Sequence, residues 1–154
     1  MANIPPSAAP VVNLAGCRQA VREQIARLEP KLFVTLAFNR GITFEKAFEA
    51  LDDFHAHVDR KLLGHDWQKR VGRRTRFIAV AENINTNLHL HLLVNPADGK
   101  WWKFCKAAVT VWSRLAPAGD VDIRPTGYVD GAVDYMFKRT ALDVFDRVQF
   151  SRGY

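Results

Sequence analysis

No stretch of 18 or more apolar residues occurs in this sequence, so it holds no candidate membrane span. Nor does it open with the charged, apolar and small-residue pattern of a secretory leader, and a cytoplasmic protein is expected. Cysteine is scarce: Cys17 and Cys105 are far apart, and read as separate buried thiols in a reducing compartment rather than a disulfide or metal pair. A Gly-rich phosphate loop ending in Lys-Ser or Lys-Thr is absent, which excludes a helicase motor within this stretch of chain. Acids are outnumbered, 16 Asp and Glu against 22 Lys and Arg, for a net charge of +6.

That imbalance is local. From Arg60 to Arg76 the chain carries seven basic residues against one acid, Asp66, while the remaining residues balance at 15 of each sign. The charge is a patch, with Lys69, Arg70, Arg73, Arg74 and Arg76 around Trp67. Clustered cations with an aromatic suit a nucleic-acid backbone and its bases. A core is not in short supply: 48% of the 154 residues are hydrophobic, including ten Phe and four Trp. One domain over residues 15–154 is expected, preceded by a Pro- and Ala-containing flexible arm at 1–14.

Taken in order, residues 16–28 fit a short helix with Val21, Ile25 and Leu28 as its stripe, stopped by Pro30. Residues 32–38 read as an interior strand, apolar on both faces. Thr43 caps a long helix running to Gly64. Residues 76–82 and 88–94, joined by an Asn-rich turn, make a hairpin. A second amphipathic helix spans 101–115, with Trp101, Phe104, Cys105, Ala108, Trp112 and Leu115 on one side; its three tryptophans read mainly as core aromatics, with exposure the alternative for Trp102. A short strand follows at 121–124, then a last helix from about 130 to about 141. Val148–Phe150 has strand character. The fold class is therefore α+β: a ferredoxin- or RRM-like βαββαβ unit with a central antiparallel sheet of about four strands, both long helices on one face and the other face open.

The most informative stretch is Leu88-His89-Leu90-His91-Leu92-Leu93-Val94. On a strand, alternation puts Leu88, Leu90, Leu92 and Val94 on one side and both imidazoles on the other. Two imidazoles on one rigid face can hold one metal ion. His55 and His57 share that spacing, but in a helical pattern, where residues two apart point in nearly opposite directions; no special role is expected for them. On the last helix, Tyr135 and Lys138 lie on one side, three apart. Tyrosine, with a pKa near 10, is only about 0.1% phenolate at neutral pH, a deficit of roughly 4 kcal/mol. A neighbouring cation and a metal-polarised electrophile offset that deficit and allow attack on phosphorus.

His89-Leu90-His91 followed by Tyr135-Met136-Phe137-Lys138 resembles the HUH endonucleases, and in particular the single-tyrosine rolling-circle replication initiators. Leu32-Phe33-Val34-Thr35-Leu36 looks like the family's first strand motif, so the resemblance covers about residues 31–140. It implies a sequence-specific, metal-dependent nickase and ligase of single-stranded DNA, acting at a single-stranded or hairpin origin, with the helicase and polymerase supplied by partners. The active site would occupy the sheet face away from the long helices. His89 and His91 would bind Mn2+ or Mg2+. The third ligand would be Glu82, provided the hairpin register sets it near the histidines, with Asp134 a lesser candidate. Tyr135 would be the nucleophile, leaving a 5′-phosphotyrosine, and Lys138 would steady the charge. Tyr128 lies before the helix, without a Lys partner, and reads as structural or as a minor contact. Arg124, on the fourth strand, either faces the DNA or caps the sheet edge. Two other readings stand beside this one: an HUH-type transposase, and a non-catalytic RRM-like module with stacking aromatics, rather than imidazoles, on its open face.

Overall fold

The computed structural model describes residues 13–127, 131, 134 and 147–151. Tyr128, Tyr135 and Lys138 lie outside the described residues, as does most of the helix expected at 130–141; Gly131 and Asp134 are helical. The architecture is α+β, with a five-stranded antiparallel sheet in the order β4-β1-β3-β2-β5. The strands are β1 (Leu32–Ala37), β2 (Arg76–Glu82), β3 (His89–Asn95), β4 (Asp120–Pro125) and β5 (Val148–Phe150). The first four are arranged as a ferredoxin-like sheet requires. β5 adds a fifth strand beside β2, where about four were expected.

Helix α1 (Leu14–Leu28) begins earlier than expected because the Asn13 side chain accepts from the Gly16 N–H. Helix α2 (Phe44–Leu63) is capped by Thr43, whose hydroxyl accepts from the Lys46 N–H, and ends at Gly64 with φ +84°. Helix α3 (Trp101–Leu115) buries Phe104, Ala107, Ala108, Val111 and Trp112. With α2 it covers one sheet face, meeting Leu32, Val34, Leu36, Phe77, Ala79, Leu90, Leu92 and Val94. The Trp112 indole N–H donates to the Ala37 carbonyl at 3.1 Å. Gly119 fits the same corner because a Cβ there would meet the Ala37 oxygen at 2.2 Å.

The second face is not fully open. The leading helix α1 packs Val21, Ile25 and Leu28 on Ile78, Val80 and Leu93, with Phe33 and Val148 at the margin. The side chain of Asn95 fixes its C-terminal end by donating to the Leu28 carbonyl at 2.9 Å. A helix with three apolar residues on one stripe must bury them somewhere, and α2 and α3 already occupy the other side.

His55 also departs from expectation. It is buried with Asp59 and Thr75 beneath the long helix, whereas His57 is exposed. His55 Nε2 lies 2.8 Å from the Thr75 carbonyl and 3.0 Å from the Asp59 carboxylate. Both are acceptors, so this nitrogen carries a proton and donates to them. Asp59 accepts the Thr75 N–H at 3.1 Å, and the Thr75 hydroxyl accepts the Ala97 N–H at 3.2 Å. Three segments are thus pinned together at the foot of β2.

Cys17 and Cys105 are free thiols, each half-buried. No described helix is long and apolar enough to cross a membrane.

Candidate metal centre and nucleic-acid interface

Strand alternation puts Leu90, Leu92 and Val94 under the long helices and turns His89 and His91 to the opposite face. The register decides what they meet. β2 pairs with β3 so that Glu82 stands directly opposite His89 and Val80 opposite His91. On the other side, β1 sets Ala37 against His89 and Thr35 against His91. Directly opposed residues share a face, so Glu82, His89, His91 and Thr35 form one cluster at the end of the sheet away from the bond between Asn95 and Leu28.

His91 is buried, at 5% exposure, and both its ring nitrogens are engaged. Nε2 lies 2.7 Å from Glu82 Oε2, and Nδ1 lies 3.0 Å from the Thr35 hydroxyl. Phe33 stacks on the ring, with centroids 5.6 Å apart. Burial pushes the His91 imidazole below its ordinary value, while its hydrogen bond and attraction to Glu82 work the other way. The net direction is down, so the ring is neutral near pH 7. Facing a carboxylate, Nε2 carries the hydrogen, and Nδ1 accepts from Thr35.

His89 is half-buried, with its ring centroid 5.8 Å from that of His91. Its Nε2 lies 3.2 Å from the Asn83 side-chain nitrogen. Asn83 reaches back because it begins the hairpin turn at φ 55°, a left-handed conformation that Asn tolerates better than most residues. The Nδ1 of His89 is buried without a hydrogen-bond partner among the described residues. No three His, Cys, Asp or Glu side chains among the described residues stand as a ready-made metal cage. The donor set of two imidazoles and one carboxylate is nevertheless the chemistry that Mn2+ accepts, and the orphaned Nδ1 is a buried polar atom in need of a partner.

Asp134 pairs with Arg22 of α1 at 3.1 Å, both side chains being exposed. Its carboxylate is therefore taken up in an ion pair, which ties residue 134 to the helix that lies over the histidine-bearing face. Arg124 stands opposite Phe33 in register, on the same face as the imidazoles; it is largely exposed and pairs with Asp122 at 2.7 Å.

The basic patch occupies the other pole. It forms two short 3-10 turns, Trp67–Lys69 and Val71–Arg73, leading into Arg76 at the start of β2. Arg76 and Glu82 are six residue steps apart along β2, about 20 Å at the rise of a strand. Lys69 is exposed, whereas Arg70 and Arg76 are half-buried. Arg74 lies over the Trp67 ring, 5.7 Å from its centroid. Arg73 grips Asp98 with two nitrogens, and that guanidinium holds the Asp98 carboxyl down to about 2. The patch does not border the histidines, although it leads into their hairpin in sequence.

Thr35, Asn83 and Phe33 do not stand out in the sequence as members of this cluster. A signal exists for Thr35, the lone polar side chain in an otherwise apolar interior strand. No family model, curated protein or solved structure matches this chain.

Proposed function

We propose that this protein is a metal-dependent nickase and ligase of single-stranded DNA, of the HUH type, initiating rolling-circle replication from a single-stranded or hairpin origin. The observation that carries this reading is the convergence of Glu82, His89 and His91 at one end of the sheet face opposite the long helices. Residue 134, the neighbour of the expected nucleophile, is tied to α1 over that same face, which agrees with it. The reading makes the sheet ferredoxin-like in function as well as strand order, with a tyrosine helix serving the histidine side, and it fits a cytoplasmic protein that relies on a separate helicase and polymerase.

His89, His91 and Glu82 would hold Mn2+ or Mg2+, with Mn2+ preferred by imidazole. When bound, such an ion draws charge from the scissile phosphate. Tyr135 Oη attacks phosphorus; the Oη–P bond forms as the P–O3′ bond breaks, and the tyrosine proton ends on the departing O3′. The products are a 5′-phosphotyrosine and a free 3′-OH, which can prime synthesis or reverse the step. Lys138 offsets the charge that develops on the phenol and phosphate. The expected result with a library of single-stranded oligonucleotides and Mn2+ is a covalent adduct on a denaturing gel, its phosphotyrosine mapping to residue 135. A protein that forms no adduct with any such DNA, in Mn2+ or Mg2+, is not a nickase.

Thr35 gives this reading a finer test. To ligate a cation, His91 must present a lone pair at Nε2 and carry its hydrogen on Nδ1. The Thr35 hydroxyl serves either tautomer, since it can donate or accept. Thr35→Val should therefore weaken Mn2+ binding by about tenfold, with Thr35→Ser restoring it. Titration calorimetry measures this directly, and equal affinities for all three proteins would show that the Thr35 hydroxyl does not support the metal-binding form of His91.

A further inference from the structure

Trp101 and Trp102 open α3 as adjacent side chains, edge to face with centroids 6.1 Å apart, and they are 54% and 55% exposed. Sequence periodicity puts Trp101 in the core; instead the helix buries Phe104 and Ala108 and leaves both indoles outside. Their surroundings are basic. Lys100 occupies the N-cap without a side-chain capping bond, Lys103 and Lys106 follow, and the first turn holds no acid. That is the positive end of the helix dipole, where cations are disfavoured unless an anion joins them. The nearby acid, Asp98, is already shared by Arg73 and Lys100. The same Arg73–Asp98 pair draws the basic loop alongside the start of α3, and the Thr75 hydroxyl bond to Ala97 reinforces the join.

We infer that the start of α3 and the basic loop at 64–75 form one docking surface for single-stranded nucleic acid, with bases stacking on Trp101 and Trp102 and phosphates meeting Lys100, Lys103, Lys69 and Arg70. Exposed indoles offer π-faces to any unpaired base, whereas a duplex keeps its bases stacked inside and offers chiefly phosphate. Charge complementarity favours a polyanion over a protein partner. The surface lies about 20 Å from the histidine cluster, the length of β3. It rests on exposed side chains rather than on metal chemistry, so it stands or falls separately from the nickase reading.

The test uses the full chain in EDTA with dye-labelled oligothymidylate of about 15 nucleotides, read by fluorescence anisotropy. Trp101→Ala combined with Trp102→Ala should weaken binding by about tenfold or more. Lys100→Ala combined with Lys103→Ala should flatten the dependence of log affinity on log salt by about one to two units, roughly 0.7 for each phosphate no longer neutralised. Both variants should keep the wild-type far-UV circular dichroism, because the replaced indoles and the Lys103 side chain are exposed and Lys100 is only partly buried. Unchanged affinity in the tryptophan variant overturns the proposal. Equal binding of a duplex, with equal losses in both variants, overturns the stacking and leaves only attraction to phosphate. If the tryptophan variant loses oligothymidylate binding while the wild-type protein forms no DNA adduct, the nickase reading falls and this one stands.

Discussion

Replacing Tyr135 by Phe is expected to cut covalent adduct formation by at least about a thousandfold while leaving oligonucleotide binding nearly unchanged. The substitution deletes one oxygen and keeps the ring, so any loss is chemical rather than steric. The magnitude follows from the role: without a phenol no 5′-phosphotyrosine can form, and residual adduct must come from another nucleophile. Tyr128→Phe is the matched control and should retain full adduct formation. If Tyr135→Phe keeps its adducts and Tyr128→Phe loses them, the nucleophile is Tyr128, and the assignment built on the Tyr-x-x-Lys spacing is wrong. Measuring binding and adduct yield on the same oligonucleotide separates the two roles, since the phenol contributes to the second and hardly at all to the first.

Asp59→Ala should destabilise the fold by about 3 kcal/mol, the largest effect expected of a single change distant from the histidine cluster. Asp59 is fully buried and accepts the Thr75 N–H through both carboxylate oxygens, at 3.1 and 3.2 Å, while meeting His55 at 3.0 Å. Truncation removes an acceptor from two buried donors at once, in a place sealed from solvent. Asp59→Asn keeps one carbonyl acceptor and should cost about half as much. Urea denaturation at constant pH reads both values. A cost below about 1 kcal/mol for Asp59→Ala would mean that the pin between α2 and the foot of β2 contributes little.

Much of this architecture is legible in the sequence because period-2 and period-3.6 patterns report burial directly. The alternation over residues 88–94 places Leu88, Leu90, Leu92 and Val94 under the helices, and the helical spacing of His55 and His57 sends the two rings in different directions. What cannot be read is register. The Asn-rich turn allows several hairpin pairings, and it is the observed pairing of Glu82 with His89 that brings a carboxylate to His91. The position of α1 is hidden for a related reason: its stripe says that it packs, not on which face. His55 looks idle in the sequence because spacing reveals direction but not partners, and its partners Asp59 and Thr75 come from separate elements. Trp101 misleads because an apolar stripe can run past the last residue the core has room for.

The two outer strands of the described sheet have one property in common. β5 is only three residues long, so it offers few free peptide groups to a neighbour. β4 alternates Asp120, Asp122 and Arg124 along one side and ends in Pro125, which has no N–H to donate. Short, charged and proline-terminated margins are how sheets resist adding a strand from another molecule. A sheet guarded in this way resists lateral growth when the protein is concentrated, because neither described margin offers a long row of free peptide groups.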